Sequence, residues 1–245
     1  MDAVQVFGDQ QAMSEAAAKT IAAAAAEAIS QRDRFLIALS GGGTPEPVYR
    51  LLATQAHLDR LGWPKWHVFW GDERCVPPDD PGSNYGQARR LLLSHIPVPA
   101  EHIFRIQGEL GPDEAADEYR MLLARLAYSG LEWPKLDLAL MGLGADGHTA
   151  SLFPGPAAPG ENQLAAIGVS ADYDGRPANR VTLTPPVFNS ARTVLFLVTG
   201  SSKAEAVAAV LQAHADRKRW PAARIKPESG REIWFLDEAA AASLS

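Results

Sequence analysis

Short apolar runs alternate with stretches of helical character along this chain. Val4–Phe7 reads as a first strand, and the long helix after it is expected to be capped by Ser14 and to run to about Gln31. Phe35–Leu39 (FLIAL) is an apolar run of strand length that stops at SGGGTP. His67–Trp70 stops at GDER, Leu136–Met141 (LDLALM) at GLGADGH, and Val194–Val198 (VLFLV) at TGSSK. Ile233–Leu236 is a last strand before an alanine-rich tail. Helices are predicted over about 45–54, 84–94, 113–128 and 203–213. Ser83 or Asn84 opens the second of these, and Pro112 ahead of Asp113 and Glu114 opens the third.

Several of these strands lack alternation. Strands apolar on both faces belong in a sheet covered on both sides, which usually means a parallel sheet. Strand–helix alternation points the same way. The expected fold is therefore α/β: a Rossmann-like, doubly wound, mostly parallel sheet with helices on both faces. Segment 160–192 is expected to add an antiparallel or irregular piece that includes a strand at Arg180–Thr184. No internal repeat appears. The loop-like stretch 154–163 reads as a surface excursion, so residues 1–245 are expected to form one domain.

Composition narrows the function classes. A chain of 245 residues, 47% of them hydrophobic, buries a sizeable core. A net charge of −6 argues against general nucleic-acid binding but leaves room for a local basic pocket. The single cysteine, Cys75, rules out a disulfide within the chain and argues against a cysteine-based zinc site. The N-terminus MDAVQVFGDQ has neither the basic start nor the apolar centre of a signal peptide. No apolar run approaches the ~18 residues that span a bilayer. A cytoplasmic protein without a membrane partner is the expectation. Histidines 57, 67, 95, 102 and 214 lack metal-ligand spacing, and no G-x-S-x-G elbow is present.

In open α/β sheets ligands bind beyond the carboxyl ends of the strands. Four turn-rich motifs directly follow predicted strands and would converge there: Ser40–Pro45, Gly71–Arg74, Gly142–His148 and Thr199–Lys203. In the first, Gly41, Gly42, Gly43 and Thr44 let backbone N–H groups approach an anion at a helix start, although no Walker loop is present. In the second, Asp72 and Arg74 are candidate binding groups, and Glu73 is a reserve candidate base. The third contains a literal G-x-G-x-x-G. Pro154, Gly155, Pro156, Pro159 and Gly160 leave no room for the helix that a dinucleotide site needs. The same loop puts Asp146 two residues before His148, a side chain that exchanges protons near neutral pH. In the fourth, Lys203 can reach an anion at the strand end.

Taken together, SGGGTP, WGDERCVPPDDPGSNYG, MGLGADGHTASLFP and TGSSKAEA resemble the bacterial 6-phosphogluconolactonase family, in this order and across nearly the whole chain. The resemblance implies hydrolysis of a phosphorylated sugar lactone in the oxidative pentose phosphate pathway, with no cofactor and no metal. It matches His148 to a catalytic histidine and Asp146 to its neighbouring carboxylate. Arg74, Arg180 and Lys203 match basic residues that hold the phosphate and polar groups, and Gly41–Thr44 match a phosphate-side loop. The alternatives are a sugar-phosphate deaminase or isomerase of the same superfamily, and a non-catalytic sugar-phosphate sensor. The deaminases carry a glutamate a few residues after the histidine, where this chain has Leu152, Phe153 and Pro154. Oligomeric state is left open.

Overall fold

The computed structural model describes residues 3–58, 60–172, 175–212 and 214–244. Strand β1 (Ala3–Phe7) leads into α1 (Gln10–Arg32), then β2 (Phe35–Leu39), α2 (Glu46–Leu52) and the short α3 (Gln55–Leu58). Next come β3 (Trp66–Trp70), β4 (Asp72–Arg74), α4 (Asn84–Leu91), α5 (Pro112–Leu126) and β5 (Leu138–Met141). The last part holds β6 (Ala166–Ser170), β7 (Asn179–Leu183), α6 (Pro185–Ser190), β8 (Thr193–Val198), α7 (Ala204–Val210), β9 (Arg231–Asp237) and α8 (Glu238–Ala241).

Six strands form a wholly parallel sheet in the order β1-β9-β8-β5-β2-β3. Every residue of β2, β5 and β8 is buried, as expected for strands covered on both faces. From β2 the chain winds outward to β3 on one side, then returns to place β5 on the other side of β2. The direction of winding therefore reverses between β2 and β5, and the loops leaving these two strands diverge to open a crevice.

A separate antiparallel sheet, β4-β7-β6, stands beyond this edge. It bears out the antiparallel piece expected within 160–192; residues 173 and 174 of that segment lie outside the described residues. It also corrects the reading of Asp72–Arg74, which is a strand rather than a turn. Its three residues pair with β7, Asp72 opposite Thr182, Glu73 opposite Val181 and Arg74 opposite Arg180. Three polar residues carry no apolar periodicity, so only the partner strand reveals them as β.

Helix α1 starts earlier than expected. Asp9 is its cap and accepts from Ala12 N–H at 2.8 Å. Ser14 is buried inside the helix, its hydroxyl donating to the Gln10 carbonyl at 2.7 Å. The apolar face includes Ala17, Ala18, Ile21, Ala25 and Ala28. Ser83 caps α4 and Pro112 opens α5, as expected. The helix predicted to reach 213 ends at Val210, and Ala213 lies outside the described residues.

Glu73 ties the small sheet to α4. Only 2% exposed, it accepts from Asn84 N–H and Tyr85 N–H at 2.7 Å, from Arg74 N–H at 2.8 Å and from Ser83 Oγ at 3.1 Å. An anion here also suits the first turn of α4. Glu73→Ala is expected to leave these donors without an acceptor and to destabilise the fold by about 2–4 kcal/mol. Denaturant titration checks this, and a loss below about 1 kcal/mol would show that α4 is held by other contacts.

Candidate active site

The crevice beyond β2 and β5 is a cavity of 490 Å³, a size suited to a small organic ligand. All four motifs that follow predicted strands contribute to its wall.

The loop after β2 is held from three sides. Tyr49 Oη bonds the backbone of Ser40, and Gln87 from α4 bonds both the N–H (3.1 Å) and the carbonyl (3.0 Å) of Gly42. The Thr44 hydroxyl meets that of Thr199, beyond β8, at 3.3 Å. Gly42 has φ of +92°, a conformation that disfavours any side chain. Gly41, Gly42, Gly43 and Thr44 all line the cavity.

The loop after β5 carries His148 and Asp146. His148 Nδ1 lies 2.6 Å from Asp146 Oδ1, which also accepts the His148 backbone N–H at 3.1 Å. His148 lines the cavity, whereas Asp146 stands behind the imidazole and is not part of the wall. Burial pushes the Asp146 carboxyl up, but the hydrogen bond and charge of His148 outweigh it and hold the group below the usual carboxylate range. Gly144 makes room for this pair, since a Cβ there would lie 2.0 Å from His148 Nδ1. The G-x-G-x-x-G spacing thus serves the histidine. No helix follows it before β6, as the prolines predicted.

The face of His148 rests on Phe153, with ring centroids 5.1 Å apart. The Arg180 guanidinium lies 5.4 Å from the centroid of the same ring. Arg180 on β7 is directly opposite Arg74 on β4, and both line the cavity. Like charges opposite one another disfavour a ladder, and here the Phe153 ring lies against one of the two. Arg74 Nη1 donates to the Gly82 carbonyl, while its Nε is buried with no hydrogen-bond partner. Lys203 reaches the wall from the turn after β8, which Asp237 pins through Gly200 N–H at 3.0 Å.

Asp72 is the one carboxylate among the described lining residues. It accepts from Ser151 Oγ at 2.7 Å and from Asn84 Nδ2 at 3.3 Å. Glu73, the reserve base, faces away from the cavity into its own hydrogen bonds. Burial pushes its carboxyl up, against the N–H groups of Tyr85, Asn84 and Arg74. Gln10, Asn84 and Arg176 also line the cavity, although nothing in the sequence marked them for a site role. Asn84 was read only as a helix start, yet its buried amide bonds the Asp72 carbonyl at 2.9 Å. Arg176 lies in the β6–β7 hairpin loop, where the sequence carries no periodic signal. With it, the wall holds four cations among the described residues, in a chain whose net charge is −6. Among the described residues no three His, Cys, Asp or Glu side chains gather as a metal site, and no helix is long and apolar enough to cross a membrane.

Residues 8–234 match the family described as glucosamine-6-phosphate isomerases/6-phosphogluconolactonase. The 6-phosphogluconolactonase of Nostoc sp. strain PCC 7120 is 41% identical over 245 residues, covering 99% of this chain and 98% of the relative. The human 6-phosphogluconolactonase is 39% identical over 244 residues, covering 99% and 93%. The solved structure of 6-phosphogluconolactonase from Trypanosoma brucei has a TM-score of 0.87 at 30% identity, covering 100% of this chain and 99% of that one. The resemblance carried by the four motifs extends over nearly the whole length, and the chain belongs to the glucosamine-6-phosphate isomerase/6-phosphogluconolactonase family.

Proposed function

We propose that this protein hydrolyses 6-phospho-D-glucono-1,5-lactone to 6-phosphogluconate, the second step of the oxidative pentose phosphate pathway, and that it acts in the cytoplasm. The observation that carries this reading is the His148–Asp146 pair beside a cavity whose wall also holds Arg74, Arg176, Arg180 and Lys203. The 6-phosphogluconolactonase relatives support the choice of substrate.

A δ-lactone is an activated cyclic ester, and three tasks must be met. Water must lose a proton as its oxygen bonds to the carbonyl carbon. The resulting oxyanion must be stabilised, and the ring oxygen must gain a proton as its bond to that carbon breaks. His148 takes the water proton and returns it to the ring oxygen, so protons balance without a covalent intermediate. Asp146 engages Nδ1, which leaves Nε2 as the exchanging nitrogen and makes Asp146 an orienting group rather than a hydroxyl binder. Arg74, with its unpartnered Nε, is the charged donor for the oxyanion or an adjacent oxygen. Arg180, Lys203 and the Gly41–Thr44 loop hold the phosphate and fix the carbonyl beside His148. Asp72, held by Ser151 and Asn84, accepts from a sugar hydroxyl.

The deaminase reading loses on one residue. Where those enzymes place a glutamate for proton work, this chain sets Phe153 against the His148 ring. An aromatic ring neither donates nor accepts that proton. The sensor reading leaves the His148–Asp146 pair without a task.

Three outcomes follow. Lactone generated in situ should release protons faster with the protein, without added metal or nucleotide, and glucosamine 6-phosphate should yield no ammonia. Ammonia release at a comparable rate would favour the deaminase.

His148→Asn should fold, bind 6-phosphogluconate and lose roughly 10²–10⁴-fold in turnover. Asp146→Asn removes the carboxylate that contacts Nδ1, so its kcat should fall while binding of 6-phosphogluconate is retained. Wild-type turnover in either variant removes that residue from catalysis.

Lys203→Ala should weaken the phosphorylated lactone by about 2–3 kcal/mol and an unphosphorylated lactone hardly at all. Equal losses for both would place Lys203 outside phosphate recognition.

A further inference from the structure

Behind the His148 loop lies a buried ion pair that the proposed chemistry does not use. Arg224 is 11% exposed and Glu161 4%, with Nη1 and Oε1 2.6 Å apart. The remaining guanidinium groups are also engaged. Nη2 donates to the Gly155 carbonyl at 2.9 Å, and Nε donates to the Arg217 carbonyl at 2.8 Å. One side chain thus joins the excursion loop 154–163 to the segment 216–224. A second link, Gly155 N–H to the Lys218 carbonyl at 2.8 Å, runs beside it.

That segment is the wall against which the His148 loop rests. Ala222 N–H donates to the Gly147 carbonyl at 3.0 Å, one residue from His148. Trp220 lies against Gly147 so closely that a Cβ there would be 2.4 Å from its ring. Asp146 fixes the rotation of the imidazole, but it belongs to the same loop and moves with it. Ser151 holds the far end of the loop to Asp72, and Trp220 and Ala222, on the turn that Arg224 closes, support it at Gly147.

We propose that Arg224, through its pair with Glu161, is a positioning residue for His148. A planar fork that bonds two carbonyls and a carboxylate holds two segments in one geometry, which a lysine at the same place does not reproduce. The proposal rests on the reading of His148 as the proton-transferring group, and the test separates the two.

Two full-length variants serve. Arg224→Lys keeps the positive charge beside Glu161 and loses the fork. The double variant Arg224→Met/Glu161→Met replaces the buried pair with apolar side chains, a change often neutral or stabilising for the fold. Turnover, KM and melting temperature are measured together with the His148 ring-proton resonances, which are assigned by their absence in His148→Asn. Both variants should lose about 10–10²-fold in kcat, the scale of an ångström misplacement. KM should stay within about twofold of wild type. In both, the His148 resonances should shift, and in the double variant they should do so without a matching fall in melting temperature. Wild-type resonances and kcat in the double variant overturn the proposal, whatever Arg224→Lys does. If the His148 reading itself is wrong, His148→Asn keeps its turnover while the Arg224 variants still move the ring resonances.

Discussion

Between β2 and β5 the chain stops winding toward one edge of the sheet and begins winding toward the other, and no loop is shared across that gap. The strands themselves are buried on both faces, with their backbone groups committed to the sheet. Polar chemistry is therefore confined to what leaves their carboxyl ends. The glycine loop comes from β2 and the His148 loop from β5, which face each other because these strands are neighbours. β8 lies next to β5 and brings Thr199 and Lys203 to the same edge.

The remaining cations need a second device. Arg74 and Arg180 reach the cavity on a small antiparallel sheet that leaves the main one right after β3. Its ladder sets two arginines opposite each other, an arrangement with no benefit to folding. Phe153 beneath Arg180, the Gly82 carbonyl on Arg74, and Glu73 anchoring α4 hold these side chains in place. Side chains fixed in this way need little reorganisation when a ligand arrives.

Phe153 joins two side chains of the candidate site. Its ring packs on the imidazole and beneath a guanidinium, so it shapes the orientation of both while supplying no proton. Arg224 and Glu161 work at longer range, holding the loop on which that imidazole sits.

The sequence by itself determined the central sheet and much of the candidate site. β2, β5 and β8 are legible because strands buried on both faces must be apolar throughout, and His148, Asp146, Lys203 and Gly41–Thr44 are legible because they follow such strands directly. Local hydrogen-bonding competition was harder to read. Asp9 and Ser14 are both acceptable caps, and the choice of Asp9 becomes visible only in the Ala12 N–H bond. Asp72–Arg74 became a strand only through β7, a partner more than a hundred residues away along the chain. That pairing also decided the fates of neighbours with the same chemistry, turning Asp72 into the cavity and Glu73 into the helix start. Arg176, Asn84 and the Arg224–Glu161 pair left no trace in periodicity, because their roles come from which distant segments they touch. Periodicity reports burial along one element, whereas a charge acquires its role from the elements packed around it.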